Sequence, residues 1–176
     1  YEREIPVEII AKPIYNENLD IVGLQGSTRD ISERVEAQKA IERSEIRYKK
    51  LIETSQNGVA LLDTNTNFVF LNNRMAELLG YDNYKELKGK NATKLMTGEK
   101  QQSLIAGKEE ELFTTGRLSN FRIDVKTKVG NTLPTEFNVT VLYDDLGEPE
   151  YFMIVMHDIT YRIEAEKALK KQAQIE

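Results

Sequence analysis

Cysteine is absent from the 176 residues, and histidine occurs once, as His157. The first absence excludes a disulfide framework, a thiolate nucleophile, a zinc-thiolate site and a cysteinyl flavin adduct. The second excludes a histidine-rich metal site. Long apolar runs are missing too. The longest, Phe152-Met153-Ile154-Val155-Met156, is far short of the roughly 20 residues of a spanning helix. No basic stretch followed by an apolar core marks a leader, and the chain opens on Tyr1 rather than Met. The expectation is a cytoplasmic piece of a longer protein whose parent can be membrane-anchored. A net charge of −5, with Lys and Arg spread among acids, argues against nucleic acid as a partner.

What is present is a soluble globular composition, 40% hydrophobic and 30% charged, and an internal repeat. Pro6 matches Pro134, 128 positions on, and the same offset pairs Glu8 with Glu136 and Tyr15 with Tyr143. It also pairs Asp30-Ile31 with Asp158-Ile159. Arg34, Glu36, Ala37, Lys39 and Ala40 then match Arg162, Glu164, Ala165, Lys167 and Ala168. The chain therefore reads as the tail of one unit over 1–32, a linker helix over 33–55, a complete second unit over 56–160, and an outgoing helix over 161–176.

Helix over 33–55 follows from Ser32 as N-cap and Glu33 at the positive end of the dipole. Ala37, Ile41, Ser44, Tyr48 and Leu51 fall at 4-3-4-3 spacing, the seam of a coiled coil, and predict a parallel homodimer. Strands are predicted at Val59–Asp63 and Phe68–Asn72, joined by a polar turn. Short helices follow over Asn73–Leu79 and Tyr84–Leu87, then a turn near Ala92–Met96 and a longer helix over Lys100–Thr115 stopped by Gly116. Asn120–Lys128 and Leu133–Tyr143 alternate apolar and polar residues, which gives each strand one buried face. Glu150–His157 is apolar on both faces and calls for a cover on its outer side, the linker helix being the obvious one. Consecutive strands with short turns give an α+β fold with one five-stranded antiparallel sheet, short helices on one face and a linker helix at each end.

Ser44-Glu45-x-x-Tyr48-x-x-Leu51-Ile52-Glu53, Asn72-x-x-x-Ala76-x-x-Leu79-Gly80-Tyr81, Glu86-Leu87-x-Gly89-Lys90 and Asp158-Ile159-Thr160 follow one another in the order of a PAS sensor domain. Over 44–160 the chain resembles that family, and 1–32 resembles the end of a preceding PAS unit. Two positions depart from its pattern. Met75 stands where an aromatic is common, and Met96-Thr97-Gly98-Glu99 replaces a His-Pro-acidic stretch at the rim of the usual ligand cleft. The resemblance implies a non-catalytic sensory and dimerisation module that signals to a downstream domain of the same chain, such as a histidine kinase or diguanylate cyclase.

Three groups of residues carry that expectation. The pocket candidates are Phe121, Ile123, Phe137 and Val139 from strands, Leu104, Leu112 and Phe113 from the long helix, and the polar Asn91, Thr93 and Asn138. A small molecule could occupy that space, or it could be a filled core. A non-covalent flavin or haem is not required by any residue, so the cofactor is unassigned. The junction candidates are Asp158, Ile159, Thr160 and Arg162, with Thr160 as helix cap and Asp158 accepting backbone N–H groups or pairing with Arg162. The seam is Ala37, Ile41, Tyr48 and Leu51. His157 and Asp158 alternate across a strand, so they do not face one substrate. A hydrolase would need a nucleophile, a base and an oxyanion donor in one cleft, and no Ser is placed near His157. A ligand-free relay or dimerisation spacer is the other reading.

Overall fold

The computed structural model describes residues 4–95 and 107–173, and the chain divides into two units, residues 1–50 and 51–176. In the first unit, β1 (Val7–Tyr15) and β2 (Ile21–Asp30) form an antiparallel hairpin. Its turn is set by Asn16, whose Oδ1 accepts the N–H groups of Asn18 and Asp20, each at 2.9 Å. Leu19 there takes the left-handed conformation, φ 66°. Helix α1 (Ser32–Glu53) follows after a single residue. None of its described residues is buried, and its last three belong to the second unit.

The second unit is built on a five-stranded sheet in the order β4-β3-β7-β6-β5, antiparallel throughout. The strands are β3 (Gly58–Asp63), β4 (Phe68–Leu71), β5 (Arg117–Lys126), β6 (Thr132–Tyr143) and β7 (Pro149–Asp158). Between β4 and β5 lie α2 (Asn73–Leu78), 3₁₀ turns at Tyr84–Glu86 and Ala92–Leu95, and α3 (Glu109–Thr115). Helix α4 (Thr160–Ala173) leaves from the end of β7. The part of the expected long helix over 100–106 lies outside the described residues.

One face of the sheet is the core. Ala60, Leu62, Ile123, Val125 and Met156 pack with Phe68, Leu71, Met75, Ala76, Leu79 and Leu87, all buried. At Gly58 β3 passes close to α2, since a Cβ there would sit 3.2 Å from Met75 Cα. On the other face Met153 remains 37% exposed, and Leu142 and Val69 equally so. Among the described residues, the second apolar face of β7 read from sequence is thus only partly covered.

Strand β5 starts at Arg117, three residues before the sequence-based start at Asn120. Leu118 pairs with Val139 and Phe121 with Phe137, so two residues oppose one. Asn120 takes the left-handed conformation at this bulge, φ 54°, and its N–H donates to Asn138 Oδ1 at 2.9 Å. The broken alternation hides the first turn of the strand from periodicity.

Candidate ligand cleft and helix junctions

The apolar face of the sheet does not close completely on the short helices. A cavity of about 280 Å³ lies between them, walled by Leu62, Phe68, Met75, Leu112, Phe113, Phe121, Ile123, Phe137, Val139, Phe152, Ile154 and Met156 among others. Four predicted strand residues thus converge on one space, with Leu112 and Phe113 from α3. Phe113 meets Phe152 edge-on, ring centres 6.1 Å apart. Leu104 lies outside the described residues, as does the rim stretch Met96–Glu99.

The polar candidates separate. Thr93 lines the cavity with Thr64 and Thr66. Asn91 stands behind them. Its Nδ2 donates to Thr66 Oγ1 (3.0 Å) and to the Asn65 carbonyl (2.8 Å), and its Oδ1 accepts from the Thr93 N–H (3.1 Å) and hydroxyl. Asn91 therefore positions two wall hydroxyls instead of contributing its own amide to the wall. Asn138 is on the opposite face of the sheet from Phe137 and Val139, where Nδ2 lies 3.4 Å from His157 Nε2. It braces the β5 bulge and is not among the cavity-lining residues.

The turn that carries Thr64 and Thr66 is held by Asp63. Its Oδ1 accepts the N–H groups of Asn65 (2.9 Å) and Asn67 (2.8 Å), and its Oδ2 accepts from Asn67 Nδ2 (3.0 Å). Those hydrogen bonds, Asn67 first, hold the Asp63 carboxyl below the ordinary aspartate range. Beyond the other side of the short helices, Tyr81 carries the ammonium groups of Lys90 and Lys128 over its ring, at 5.6 and 5.4 Å. Hydrogen bonding to Glu86 raises the Lys128 ammonium above the ordinary lysine range.

At the exit junction Asp158 accepts a backbone N–H as expected, while the cap and the partner of Arg162 differ from expectation. Thr160 is the first residue of α4, inside the helix, and the cap is supplied from two positions before it. Asp158 Oδ1 accepts the Thr160 N–H at 2.8 Å. The Ile159 carbonyl accepts the Ile163 N–H, and the Ile159 N–H donates to the Pro134 carbonyl at 3.1 Å, which ties the helix start to β6. Arg162 pairs with Glu136 of β6 at 3.6 Å and with Glu166 at 3.5 Å, not with Asp158. Glu136 is the better placed carboxylate because it also receives Arg122 of β5 at 3.5 Å and has only 14% of its side chain exposed. Ser32, expected as the cap of α1, likewise lies inside its helix.

The entry junction depends on Asn72, expected from sequence as the end of a strand and part of a family motif. Asn72 is fully buried. Its Oδ1 accepts the N–H groups of Val59 and Met75, each at 2.9 Å, which caps α2. Its Nδ2 donates to the Ile52 carbonyl in the last turn of α1 (2.9 Å) and to the Asn57 carbonyl (3.1 Å). All four hydrogen-bonding positions of the amide are thereby used. An Asn directly before a helical run is an N-cap signal; the two long-range carbonyl partners leave no local trace. Glu53 Oε2 adds an acceptor for the Asn73 N–H at 3.1 Å. The two junctions adjoin, for Asp158 lines one surface hollow with Glu53, Asn57, Arg74 and Glu77. The seam candidates Ile41, Tyr48 and Leu51 are 54%, 63% and 61% exposed, and Ala37 is exposed as well.

A family model described as the PAS fold matches residues 46–159. No curated protein matches the chain significantly. Among solved structures, a PAS domain from Colwellia psychrerythraea is 15% identical with a TM-score of 0.61, over 65% of this chain and 96% of that one. A PAS domain from a two-component sensor histidine kinase is 16% identical with a TM-score of 0.54, over 66% and 98%. An RNA-binding Light-Oxygen-Voltage receptor is 15% identical with a TM-score of 0.58, over 98% of this chain but 44% of its own. At such identities these likenesses concern the fold. No helix among the described residues is long and apolar enough to cross a membrane.

Proposed function

This chain is a member of the PAS family, and on that premise we propose that it is a non-catalytic sensory and dimerisation module within a multidomain signalling protein. A ligand or partner at the cleft changes sheet packing, and the change leaves through the Asp158–Arg162 junction into α4 and a downstream output domain such as a histidine kinase. Residues 1–32 are then the closing strands of a preceding PAS unit, and α1 serves as the outgoing helix of that unit and the incoming helix of the next.

The observation that carries this reading is the repetition of the junction. Asp30 Oδ1 accepts the Ser32 N–H at 2.8 Å as Asp158 does for Thr160. The Ile31 N–H donates to Pro6 at 3.1 Å as Ile159 does to Pro134. A helix start whose Asp cap and backbone hydrogen bonds recur 128 residues apart is what a reused transmission joint requires. Two such helices in a parallel dimer can shift between discrete packings of their seam. Light scattering tests this. The double variant Ile41→Asp, Leu51→Asp is expected to halve the mass of the native protein, and an unchanged mass refutes the seam.

A second reading is favoured by the shared hollow of the two junctions. A movement of the end of α1 can reach the start of α4 through Glu53, Asn57 and Asp158 without crossing the cleft. In that case the domain is a ligand-free relay. Native mass spectrometry with a visible absorption spectrum separates the two, since a sensor retains or takes up a small molecule and a relay does not.

A further inference from the structure

Resting on the reading of the cleft as a ligand site, we propose that its ligand is an uncharged, largely apolar compound the size of two fused rings, bearing one hydroxyl group. Three observations lead there. The first is the charge of the wall. Among the described lining residues only Lys108 and Glu109 are ionisable, and the Lys108 ammonium is paired with Glu111 while 43% of its side chain is exposed. Among the described lining residues, a carboxylate or phosphate would find no unpaired cation to replace its lost hydration. The other described lining residues are leucine, isoleucine, valine, methionine, phenylalanine, alanine and threonine.

The second observation is size. An apolar cavity of roughly 150 Å³ accepts benzene. The cleft, at about 280 Å³, is close to twice that. The third is the arrangement of the hydroxyls. Thr66 Oγ1 accepts from Asn91 Nδ2, which leaves its own proton to donate; the Thr93 hydroxyl donates to Asn91 Oδ1, which leaves its lone pairs to accept. One amide thus presents a donor and an acceptor side by side at the cavity wall. A ligand hydroxyl, which both accepts and donates, satisfies the pair. A ketone or ether satisfies only Thr66.

The test uses two naphthalene probes that differ in charge, neutral 2-naphthol and anionic 2-naphthoate at neutral pH, titrated calorimetrically into the full chain. 2-Naphthol is expected to bind at least tenfold more tightly. Val139→Trp fills the cavity and is expected to abolish that binding, with folding checked by the thermal midpoint. Thr93→Val keeps the wall volume and is expected to weaken 2-naphthol about tenfold, whether or not the tryptophan variant folds. Equal or tighter binding of 2-naphthoate overturns the ligand class and leaves the cleft reading standing. Binding of neither probe overturns both. Undiminished binding in a folded Val139→Trp variant locates the probe elsewhere and overturns the proposal, as does undiminished binding in Thr93→Val for its hydroxyl.

Discussion

Two hairpins of this molecule share a backbone plan and differ in what surrounds them. In β1–β2, Val7 pairs with Asp30 and the register runs to Ile14 opposite Gly23 before slipping at Tyr15. In β6–β7, Thr135 pairs with Asp158 and the register runs to Leu142 opposite Tyr151 before slipping at Tyr143. Each pair is the other displaced by 128 positions. The turns agree as well. Asp144 Oδ1 accepts the N–H groups of Leu146 and Glu148 at 2.9 Å, as Asn16 does for Asn18 and Asp20. Yet Phe137 and Phe152 look into the cleft, whereas their counterparts Ile9 and Leu24 are 67% and 71% exposed. Register, slip and turn are thus specified by hydrogen bonds within the hairpin. Burial is a separate gain that only the second hairpin collects among the described residues.

The comparison breaks most visibly at core positions. Met156 is 1% exposed and corresponds to Thr28. Met156→Ala should lower stability by about 2–4 kcal/mol in denaturant melts, through lost transfer energy and a cavity. Thr28→Ala should stay within about 0.5 kcal/mol. Equal losses would mean that the first hairpin is buried too. A smaller effect sharpens the turn comparison. Leu19 and Gly147 are equivalent and both left-handed, φ 66° and 83°. Relieving the strain by Leu19→Gly should raise amide protection in β1–β2, and Gly147→Ala should lower it in β6–β7, each by about 1 kcal/mol in hydrogen exchange. A Cβ on Gly147 meets nothing within 4 Å, so the second effect isolates backbone strain.

The smallest expected effect concerns pH and a turn with no copy in the first hairpin. Because the folded state lowers the Asp63 pKa, the folded chain binds fewer protons there than the unfolded one. The contribution is complete above the ordinary aspartate value and disappears as pH falls through the lower folded value. Thermal midpoints taken from about pH 5 to pH 2 should fall less steeply in Asp63→Asn than in the native chain. A steeper fall in the variant would contradict the assigned role of the carboxylate.

Much of the architecture was legible because it is periodic. Alternation along β5 and β6, glycine at the end of α3 and the displaced self-match all act through neighbours in sequence. What escaped depends on distant partners. Asn72 looks like an ordinary cap until the Ile52 and Asn57 carbonyls come within reach of its amide. Asn138 reads as one more polar residue of an alternating strand, while its partner is the Asn120 N–H across a bulge. Arg162 has an acid four residues on and another four before, and only the packing of β6 against the helix start selects Glu136. The same rule runs through the cleft, where alternation places apolar side chains on one face and nothing local shows that Asn91 acts on the wall through Thr66 and Thr93.

One proline has a consequence for strand pairing. The Ile31 N–H donates to Pro6, so even-numbered residues of β1 turn their backbone groups toward β2 and odd-numbered ones turn theirs outward. Pro13 falls on the outward set. At the matching place in the second unit, the Val141 N–H reaches Gly116, next to the fifth strand, at 2.9 Å. Pro13 has no hydrogen to offer there, so a strand that pairs with this side of β1 as the fifth strand pairs with β6 does so without that one bond.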